Sequence, residues 1–242
     1  MERVLVLQSF NESTVTGWLG RCVDSVRAWC GHQGYDYRQR HDSLFELLPD
    51  WYRDKVGARK PIAADLARLL WIRDELQRGE FDLVAWLDAD VLVMTPGELS
   101  LRAATTCTFG QEHWVQMDDG KLRIHKNVHN AYCAFRPGCP ILPFLIEAVQ
   151  RMVRRVDPRF MAPQFVGPKL LTHLHNTVGF ELDPRFGALS PELVAGLLRG
   201  DDTPYQTMLE RMPEPLMAAN LCASLQGHTP DSTMQCLIER LL

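Results

Sequence analysis

The sequence predicts an α/β fold in which a mostly parallel, Rossmann-type central sheet is flanked by helices. In the first ninety residues, segments with strand and helix periodicity follow one another in the order strand, helix, strand, helix, strand. This order is typical of parallel sheets, because each helix returns the chain to the edge where the next strand begins. The third strand, within residues 81–90, is a nearly continuous apolar run, which indicates burial on both faces.

The individual elements of this half follow from periodicity and from the residues that interrupt it. In the helix predicted at residues 62–78, apolar side chains recur every three or four positions, and Gly79 ends the helix. Residues 42–60 have no clean period and are expected to form a loop with short helical pieces. The other elements predicted here are a strand at residues 3–10, a helix at 18–30 and a strand at 35–40.

After the first hundred residues the pattern is less regular. Two strands are expected at residues 105–115 and 131–135, around a polar loop at residues 116–129. Residues 141–156 have the apolar spacing of an amphipathic helix. The chain that follows is broken by prolines and glycines into short helices and loops. Because no linker or internal repeat is visible, we expect a single domain over residues 1–242.

Composition places the chain among ordinary globular proteins. It has 242 residues, 46% of them hydrophobic and 23% charged, which suffices for one sizeable core. The net charge of −4 provides no basic excess for binding phosphate backbones, so no nucleic-acid partner is expected. No apolar run approaches the roughly 18 residues of a transmembrane helix, and residues 1–8 do not resemble a signal peptide. We therefore expect a cytoplasmic protein without a transmembrane segment.

The cysteine pattern agrees with that compartment. The count of seven is odd, and no two cysteines have the Cys-x-x-Cys spacing. We expect reduced thiols, several of them in the core.

The apolar run at residues 81–87 ends in two carboxylates, Asp88 and Asp90, separated by one residue. In an extended chain these side chains would point to the same face. Open α/β sheets bind ligands beyond the carboxyl ends of their strands, and carboxylate oxygens suit a divalent cation that also holds a diphosphate. Asp-x-Asp alone is a weak signal, and an acidic turn at the end of a strand is the alternative interpretation.

A second pair of charged residues precedes this strand. Asp65 and Arg68 stand three apart and therefore share one face of the helix at residues 62–78. Such a pair is usually a solvated surface ion pair that contributes little to stability. Here the pair lies about twenty residues before Asp88, and this order of the two acidic motifs is informative.

The order of residues 60–70 and then Leu87-Asp88-Ala89-Asp90 resembles the sugar-binding region of glycosyltransferases with the DXD motif. That group includes the Och1-like mannosyltransferases and the glucosylating clostridial toxins. Its pattern is Ala-x-x-Ser-Asp-x-x-Arg, a helix, and a strand that closes in Asp-x-Asp. The present chain departs from it at Ala64, where the family prefers serine.

Three later segments extend the resemblance, which covers roughly residues 60–230. Residues 130–138, which begin with Asn130, are similar to the family's Asn-containing strand and the Pro-Gly turn after it. Residues 167–172 are similar to its Gly-Pro-x-x-Leu-Thr segment. His228 lies in the region of a late histidine that often completes the metal and diphosphate site, although the tryptophan that usually follows is absent.

The resemblance implies a GT-A-like fold, with a nucleotide-sugar half at about residues 1–100 and an acceptor half at about 101–242. It implies a metal-dependent hexosyltransferase that moves a sugar from a UDP or GDP sugar to an acceptor hydroxyl, with retention of anomeric configuration. The acceptor class is a glycan, a lipid-linked glycan or a protein, and no residue is nominated as a nucleophile. The implied cofactor is Mn²⁺ or Mg²⁺, with Asp88, Asp90 and His228 as ligands. The implied donor-binding residues are Asp65, Arg68, Asp88 and Asn130, with Ser9 and Asn11 at the nucleotide base by fold analogy.

Two other functions remain open from the sequence. A metal-dependent nucleotidyltransferase can share such a sheet, but it normally carries a glycine-rich basic loop after its first strand. Residues 8–13 contain neither glycine nor lysine. A non-catalytic sugar-nucleotide-binding protein of the same fold is the other alternative, and the intact Asp-x-Asp counts against it.

Overall fold

A computed structural model describes residues 2–11, 13, 15–226 and 229–242. The strands are β1 Val4–Ser9, β2 Asp36–Arg40, β3 Leu83–Leu87, β4 Val91–Val93, β5 Cys107–Asp118, β6 Lys121–Phe135, β7 Glu181–Asp183, β8 Phe186–Ala188 and β9 Ala218–Asn220. The helices are α1 Gly17–Gln33, α2 Asp50–Val56, α3 Lys60–Gln77, α4 Ile141–Arg155, α5 Pro168–Val178, α6 Pro191–Arg199, α7 Thr203–Arg211 and α8 Asp231–Leu241. Short 3₁₀ helices span Asp42–Leu47, Pro158–Phe160 and Ala223–Leu225.

Within these residues the central sheet has six strands in the order β2-β1-β3-β6-β5-β7. β1 runs parallel to β2 and β3, and β7 runs parallel to β5. β6 is antiparallel to β5, because the two are joined as a hairpin, and it is also antiparallel to β3 on its other side. The α/β class is confirmed. The parallel arrangement predicted for the first ninety residues is present in β2-β1-β3, and the later strands make the whole sheet mixed.

The central sheet is covered on both faces, as the apolar character of its inner strands predicts. Leu5 of β1 and Trp86 of β3 lie in a core formed with α3 and α4. Val6 and Ala85, each adjacent in sequence to one of these residues, lie in a second core with α1. Alternate residues of a strand point to opposite faces, so a strand that separates two cores is apolar throughout.

The polar loop predicted at residues 116–129 is wrong. These residues continue β5 and β6 as a long antiparallel hairpin, with Asp118 paired to Lys121. Asp119 and Gly120 both have positive φ, of 48° and 72°, as the mirror-image turns of two-residue hairpins require. The Asp-Gly pair and the alternation of polar and apolar residues after it were the available signals, and the many charges in this ribbon obscured them.

The small strands were also missed. Residues after 157 form the expected short helices, but β8, β9 and β4 build a second sheet in the order β4-β9-β8. Each of these strands has three residues, which is too short to show a periodicity of two. Their position matters, since β4 begins directly after Asp90 and pairs with β9. No helix among the described residues combines the length and the apolar character required to cross a bilayer.

Candidate active site

The candidate site lies at the carboxyl end of β3. The backbone N–H of Asp88 still donates to the Ala131 carbonyl of β6, at 2.8 Å, so the aspartate extends the ladder by one bond. The Val91 N–H then donates to the Asp88 carbonyl at 3.1 Å, which closes a turn around Ala89 and Asp90. Because the chain turns here, the expectation that both carboxylates point to one face of an extended strand is wrong.

Asp88 is oriented by three side chains. Its Oδ1 accepts a hydrogen bond from Trp86 Nε1 at 2.6 Å and lies 3.2 Å from Arg68 Nη1. Gln8 Nε2 donates to its backbone carbonyl at 3.2 Å. Gln8 is itself fixed, since its Oε1 accepts a hydrogen bond from Tyr37 at 2.9 Å. About 28% of the Asp88 side chain remains exposed, so this carboxylate is both fixed and accessible.

Arg68 is the centre of a buried network rather than part of a surface ion pair. Its Nη1 donates to the Asn130 carbonyl at 2.5 Å, and its Nη2 lies 3.3 Å from Asp65 Oδ1. The guanidinium lies 5.2 Å from the centre of the Trp86 ring. The Asp65 and Arg68 side chains are only 7% and 6% exposed. The shared helix face inferred from their spacing is therefore turned into the protein, towards β3 and β6.

Asn130 reaches this network through an irregularity in β6. The register of β5 against β6 jumps between Phe109, opposite Cys133, and Gly110, opposite His129. The residues between His129 and Cys133 therefore have no partner on β5, and Asn130 Nδ2 donates to Asp65 Oδ1 at 2.7 Å. Bulges often redirect a side chain near a functional site.

The segment at residues 167–172 closes over the other side of Asp65. A Cβ on Gly167 would lie 2.6 Å from Asp65 Oδ2, so only glycine allows the carboxylate to pack here. Five residues later, Thr172 Oγ1 accepts a hydrogen bond from the Val128 N–H at 3.2 Å. The two segments singled out by resemblance, at Asn130 and at Gly167, thus both contact Asp65 or its immediate surroundings.

The electrostatics of Asp65 follow from this burial. Burial raises the pKa of its carboxyl to about 6, while the Arg68 charge and the Asn130 hydrogen bond act in the opposite direction. A cavity beside these side chains has a volume of about 10 Å³. Such a space holds one water molecule at most, so a sugar cannot lie there.

Asp90 contacts a different part of the chain. Its Oδ1 accepts from Asn220 Nδ2 and its Oδ2 accepts from the Ala223 N–H, both at 2.8 Å. The Leu221 N–H donates to its backbone carbonyl at 2.9 Å. Burial, and after it the charge of Asp88, raises the pKa of the Asp90 carboxyl to about 6. The two carboxylates are therefore close enough to repel each other despite their separate partners.

Cys222 shapes the loop that holds Asp90, and sequence reasoning did not identify it. Its φ of 51° lies in the left-handed region, which costs a non-glycine residue about 1 kcal/mol or more. Its N–H donates to Asn220 Oδ1 at 2.6 Å, which turns the next N–H, that of Ala223, towards Asp90. Strained backbone of this kind often accompanies functional sites. No sequence signal distinguished Asn220 or Cys222.

The acidic residues fit a hard divalent cation. Asp88 and Asp90 offer carboxylate oxygens, and a cation would relieve the repulsion between them. Within the described residues, no group of three or more histidine, cysteine, aspartate or glutamate side chains could hold a metal ion. A site built from two aspartates leaves most positions to water and phosphate, as Mg²⁺ sites often do. The third predicted ligand, His228, lies outside the described residues.

The residues predicted at the nucleotide base lie at the end of β1 and just after it. Ser9 Oγ donates to the His41 carbonyl at 3.4 Å. Asn11 Oδ1 accepts from the N–H and the hydroxyl of Ser13, at 3.0 and 2.6 Å. Ser9 is paired with Arg40 at the end of β2, so both belong to the carboxyl edge of the parallel strands. Their role at the base stays a prediction.

No protein-family model matches the chain, and no curated protein matches it. Among solved structures, a glycosyltransferase involved in the glycosylation of the major capsid of PBCV-1 is similar, with 11% identity over 98% of this chain and 99% of that chain and a TM-score of 0.49. The galactosyltransferase LgtC, in complex with donor and acceptor sugar analogues, has 14% identity, covers 98% and 95%, and has a TM-score of 0.46. Mouse xyloside xylosyltransferase 1 has 9% identity, covers 93% and 99%, and has a TM-score of 0.49. Likeness at this level says nothing of activity, which must be argued from the site itself.

Proposed function

We propose that this protein is a metal-dependent glycosyltransferase that moves a sugar from a nucleoside-diphosphate sugar to an acceptor hydroxyl, with retention. The observation that carries the proposal is the network of Asp65, Arg68, Asp88 and Asn130. It joins α3, β3 and β6 at the carboxyl edge of the parallel strands, with Asp90 one turn further. Asp65, Arg68 and Asn130 are far from Asp88 in the sequence or on other elements, and they still form one contact network with it. An Asp-x-Asp that occurred by chance at the end of a strand would have no reason to lie in such a network.

The reaction breaks the bond between the anomeric carbon and the diphosphate, and negative charge builds on the departing phosphate. Mn²⁺ or Mg²⁺, when bound, supplies Lewis-acid stabilisation of that charge. In our proposal Asp88 and Asp90 hold the cation, with His228 as a further ligand. No side chain acts as a nucleophile, because in a front-face displacement the leaving phosphate can take the proton of the acceptor hydroxyl.

The buried residues have a supporting part in this proposal. Arg68 fixes Asp88 and adds a positive charge near the diphosphate, and Asp65 and Asn130 fix Arg68. The half-buried Asn130 also binds a sugar hydroxyl beside the exposed part of Asp88, whereas the buried Asp65 acts on the donor through these two neighbours. Ser9 and Asn11 contact the nucleotide base. The donor is of the UDP or GDP type, and the acceptor is a glycan, a lipid-linked glycan or a protein hydroxyl.

Calorimetry with UDP and GDP tests the proposal. Without a cation, the charges of Asp88 and Asp90 repel a diphosphate, so we expect measurable affinity in Mn²⁺ and at least tenfold weaker affinity in EDTA. Asp88→Asn should lose the Mn²⁺ effect. Asp118→Asn is the matched control, since Asp118 is 55% exposed at the far end of the hairpin and should leave it unchanged. Equal affinities for the nucleotide in Mn²⁺ and in EDTA would contradict the proposed metal dependence of donor binding.

A donor panel then separates the transferase from the two alternatives. Slow Mn²⁺-dependent release of free sugar from one nucleotide sugar is the result expected of a transferase without its acceptor. Tight binding of that donor with no release, even with mixed glycan acceptors, would indicate a non-catalytic binder. Release of pyrophosphate from a nucleoside triphosphate would indicate a nucleotidyltransferase.

A further inference from the structure

A strongly basic surface is formed by α2, the end of α4 and the turns that follow these helices. Residues 50–60 and 147–159 together contain eight lysines and arginines but only four carboxylates. Their net charge is therefore +4, although the whole chain carries −4. We call these two segments, together with Phe144 and Phe160, the basic surface.

The two segments contact each other directly. Lys55 Nζ donates to the Arg154 carbonyl at 2.5 Å, and Arg59 Nη2 donates to the Pro158 carbonyl at 2.7 Å. The Arg154 guanidinium lies 4.4 Å from the centre of the Trp51 ring. Cations that are far apart in the sequence are therefore gathered in one place.

Most of these charges are not neutralised by the protein. Three arginines form ion pairs with neighbouring carboxylates, namely Arg53 with Asp50, Arg151 with Glu147 and Arg159 with Asp157. The other five cations form no ion pair with any residue that the structure describes, and these are Lys55, Arg59, Lys60, Arg154 and Arg155. Like charges gathered in this way repel one another, and an anionic surface outside the protein would relieve that repulsion.

Two exposed aromatic side chains accompany the cations. Phe160 is 74% exposed and Phe144 is 51% exposed. Phe144 lies in one row of α4 with Arg151 and Arg155, because seven and eleven positions complete about two and three helical turns. Protein surfaces that lie on bilayers combine the same groups, since apolar rings enter the headgroup boundary while cations stay at the lipid phosphates.

We propose that the basic surface docks the protein onto an anionic lipid bilayer. The surface consists of helices and turns, so it offers no free strand edge of the kind that often binds an extended peptide. An acidic peptide would neutralise the cations but leave the two phenylalanine rings in water. A bilayer accommodates both the cations and the rings.

The basic surface adjoins the candidate active site. Lys60 begins α3, and Asp65 lies five positions further along the same helix. The segment after Phe160 leads to Gly167, which packs against Asp65. A bilayer at the basic surface would therefore be close to the donor-binding residues, which favours a lipid-linked glycan among the acceptor classes. That choice of acceptor rests on the proposed function, whereas the docking itself does not.

Vesicle sedimentation tests the docking, with phosphatidylcholine vesicles that contain either no anionic lipid or roughly 30% phosphatidylglycerol. At about 0.1 M salt we expect partition onto the anionic vesicles to be stronger by roughly tenfold or more, and at about 0.5 M salt we expect it to be lost through screening. Equal partition onto both kinds of vesicle, or onto neither, would overturn the proposal. Binding of poly-glutamate without binding of vesicles would also overturn it and would indicate an acidic protein partner.

Charge-reversal variants assign the binding to this surface. Lys60→Glu combined with Arg155→Glu should reduce partition onto the anionic vesicles by roughly tenfold or more. The matched control is Arg199→Glu combined with Arg211→Glu, which makes the same change in net charge at exposed positions of α6 and α7. The control should retain most of the binding. An equal loss in both double variants would mean that net charge governs the binding, and the basic surface would then have no special part in it.

Phe160→Ser tests the contribution of the rings. This variant should bind anionic vesicles severalfold more weakly with an unchanged melting temperature, because the ring is exposed in the free protein. If a charge-reversal variant fails to fold, hydrogen exchange of the wild-type protein makes the same assignment. Peptides from residues 50–60 and 147–160 should then be protected on anionic vesicles, and protection confined to other regions would overturn the proposal. Nucleotide affinity measured without vesicles tests the transferase separately, so either proposal can fail alone.

Discussion

Asp88 and Asp90 are two residues apart, yet their carboxylates lie among different partners. Asp88 contacts Trp86 and Arg68 on the α3 side of the sheet. Asp90 lies after a turn and contacts Asn220 and the Ala223 N–H, close to the second sheet. At the scale of single residues the Asp-x-Asp segment therefore joins two parts of the molecule, and each aspartate is fixed by one of them.

This arrangement changes the expected effect of Asp90→Asn. From repulsion between the two carboxylates alone, the substitution would stabilise the fold. Both Asp90 oxygens, however, accept hydrogen bonds, so the new amide NH₂ must face one of the two donors. We expect the free energy of unfolding in EDTA to fall by about 1 kcal/mol, measured by urea denaturation. Asp118→Asn, which is exposed, should change it by less than about 0.5 kcal/mol. A higher urea midpoint for Asp90→Asn would show that repulsion dominates.

Asp65 predicts a dependence of stability on pH. The pKa of its carboxyl is raised by burial to about 6, above the usual 3.8. A raised pKa stabilises the folded state at low pH, and this contribution is lost as pH rises through about 6. Between pH 7.5 and pH 5, wild type should therefore gain about 1 kcal/mol of unfolding free energy relative to Asp65→Asn. Denaturant titrations of both proteins at the two pH values measure this gain. A constant difference would mean that Arg68 keeps Asp65 ionised throughout.

At the scale of elements, the candidate site depends on close packing between α3, the bulge of β6 and the start of α5. Asp65 belongs to α3, Asn130 lies in the bulge, and Gly167 immediately precedes α5. A helix or strand on its own would leave these polar groups in solvent. Their mutual contacts are what make a buried carboxylate and a buried guanidinium tolerable.

Gly167→Ala tests this packing. The new Cβ would lie 2.6 Å from Asp65 Oδ2, so either the carboxylate or the segment before α5 must move. We expect a loss of about 1–3 kcal/mol in unfolding free energy together with weaker Mn²⁺-dependent nucleotide affinity. Gly97→Ala is the matched control, since its Cβ would meet no atom within 4 Å. If both variants behave alike in urea denaturation and calorimetry, the approach of Gly167 to Asp65 has no energetic importance.

At the scale of the whole molecule, β1 and β3 form the most protected part of the fold. Every residue of β3 is buried, and the strand is paired on both sides, with β1 and β6. The far end of the β5–β6 hairpin is half-exposed or exposed and is paired only within the hairpin. The molecule thus combines a rigid sheet with a protruding ribbon.

Hydrogen exchange should resolve these two regions. Amides of β3 should open only with global unfolding, while those at residues 117–122 should exchange through local fraying, because few buried contacts oppose it. Mass spectrometry of peptides from the two regions measures both rates. Exchange at residues 117–122 as slow as in β3 would mean that another surface covers the hairpin tip.

Several features of the candidate site were predictable from the sequence, because they depend only on residues close together in the chain. Spacing by three on a helix places Asp65 and Arg68 on one face, and an apolar run places Asp88 at the end of a buried strand. Asn130 and the segment at Gly167 were found only through resemblance to a family pattern. The extended geometry expected for residues 88–90 was wrong, because the chain turns after Asp88 and Asp90 is held by Asn220 and Ala223, which are far away in the sequence.

The sequence by itself determined the α/β class, the parallel strands of the first ninety residues, the shared helix face of Asp65 and Arg68, and the position of Asp88 at the end of a buried strand. Periodicity, spacing and composition are local properties, so they can be recognised without knowing which segments of the chain pack together. Only the tertiary structure decided that Arg68 is buried against Asn130, and that Asn220 and the strained Cys222 loop hold Asp90. Each of these contacts joins residues 62 or more positions apart, and their distance in space depends on strand register and bulges that no local pattern encodes.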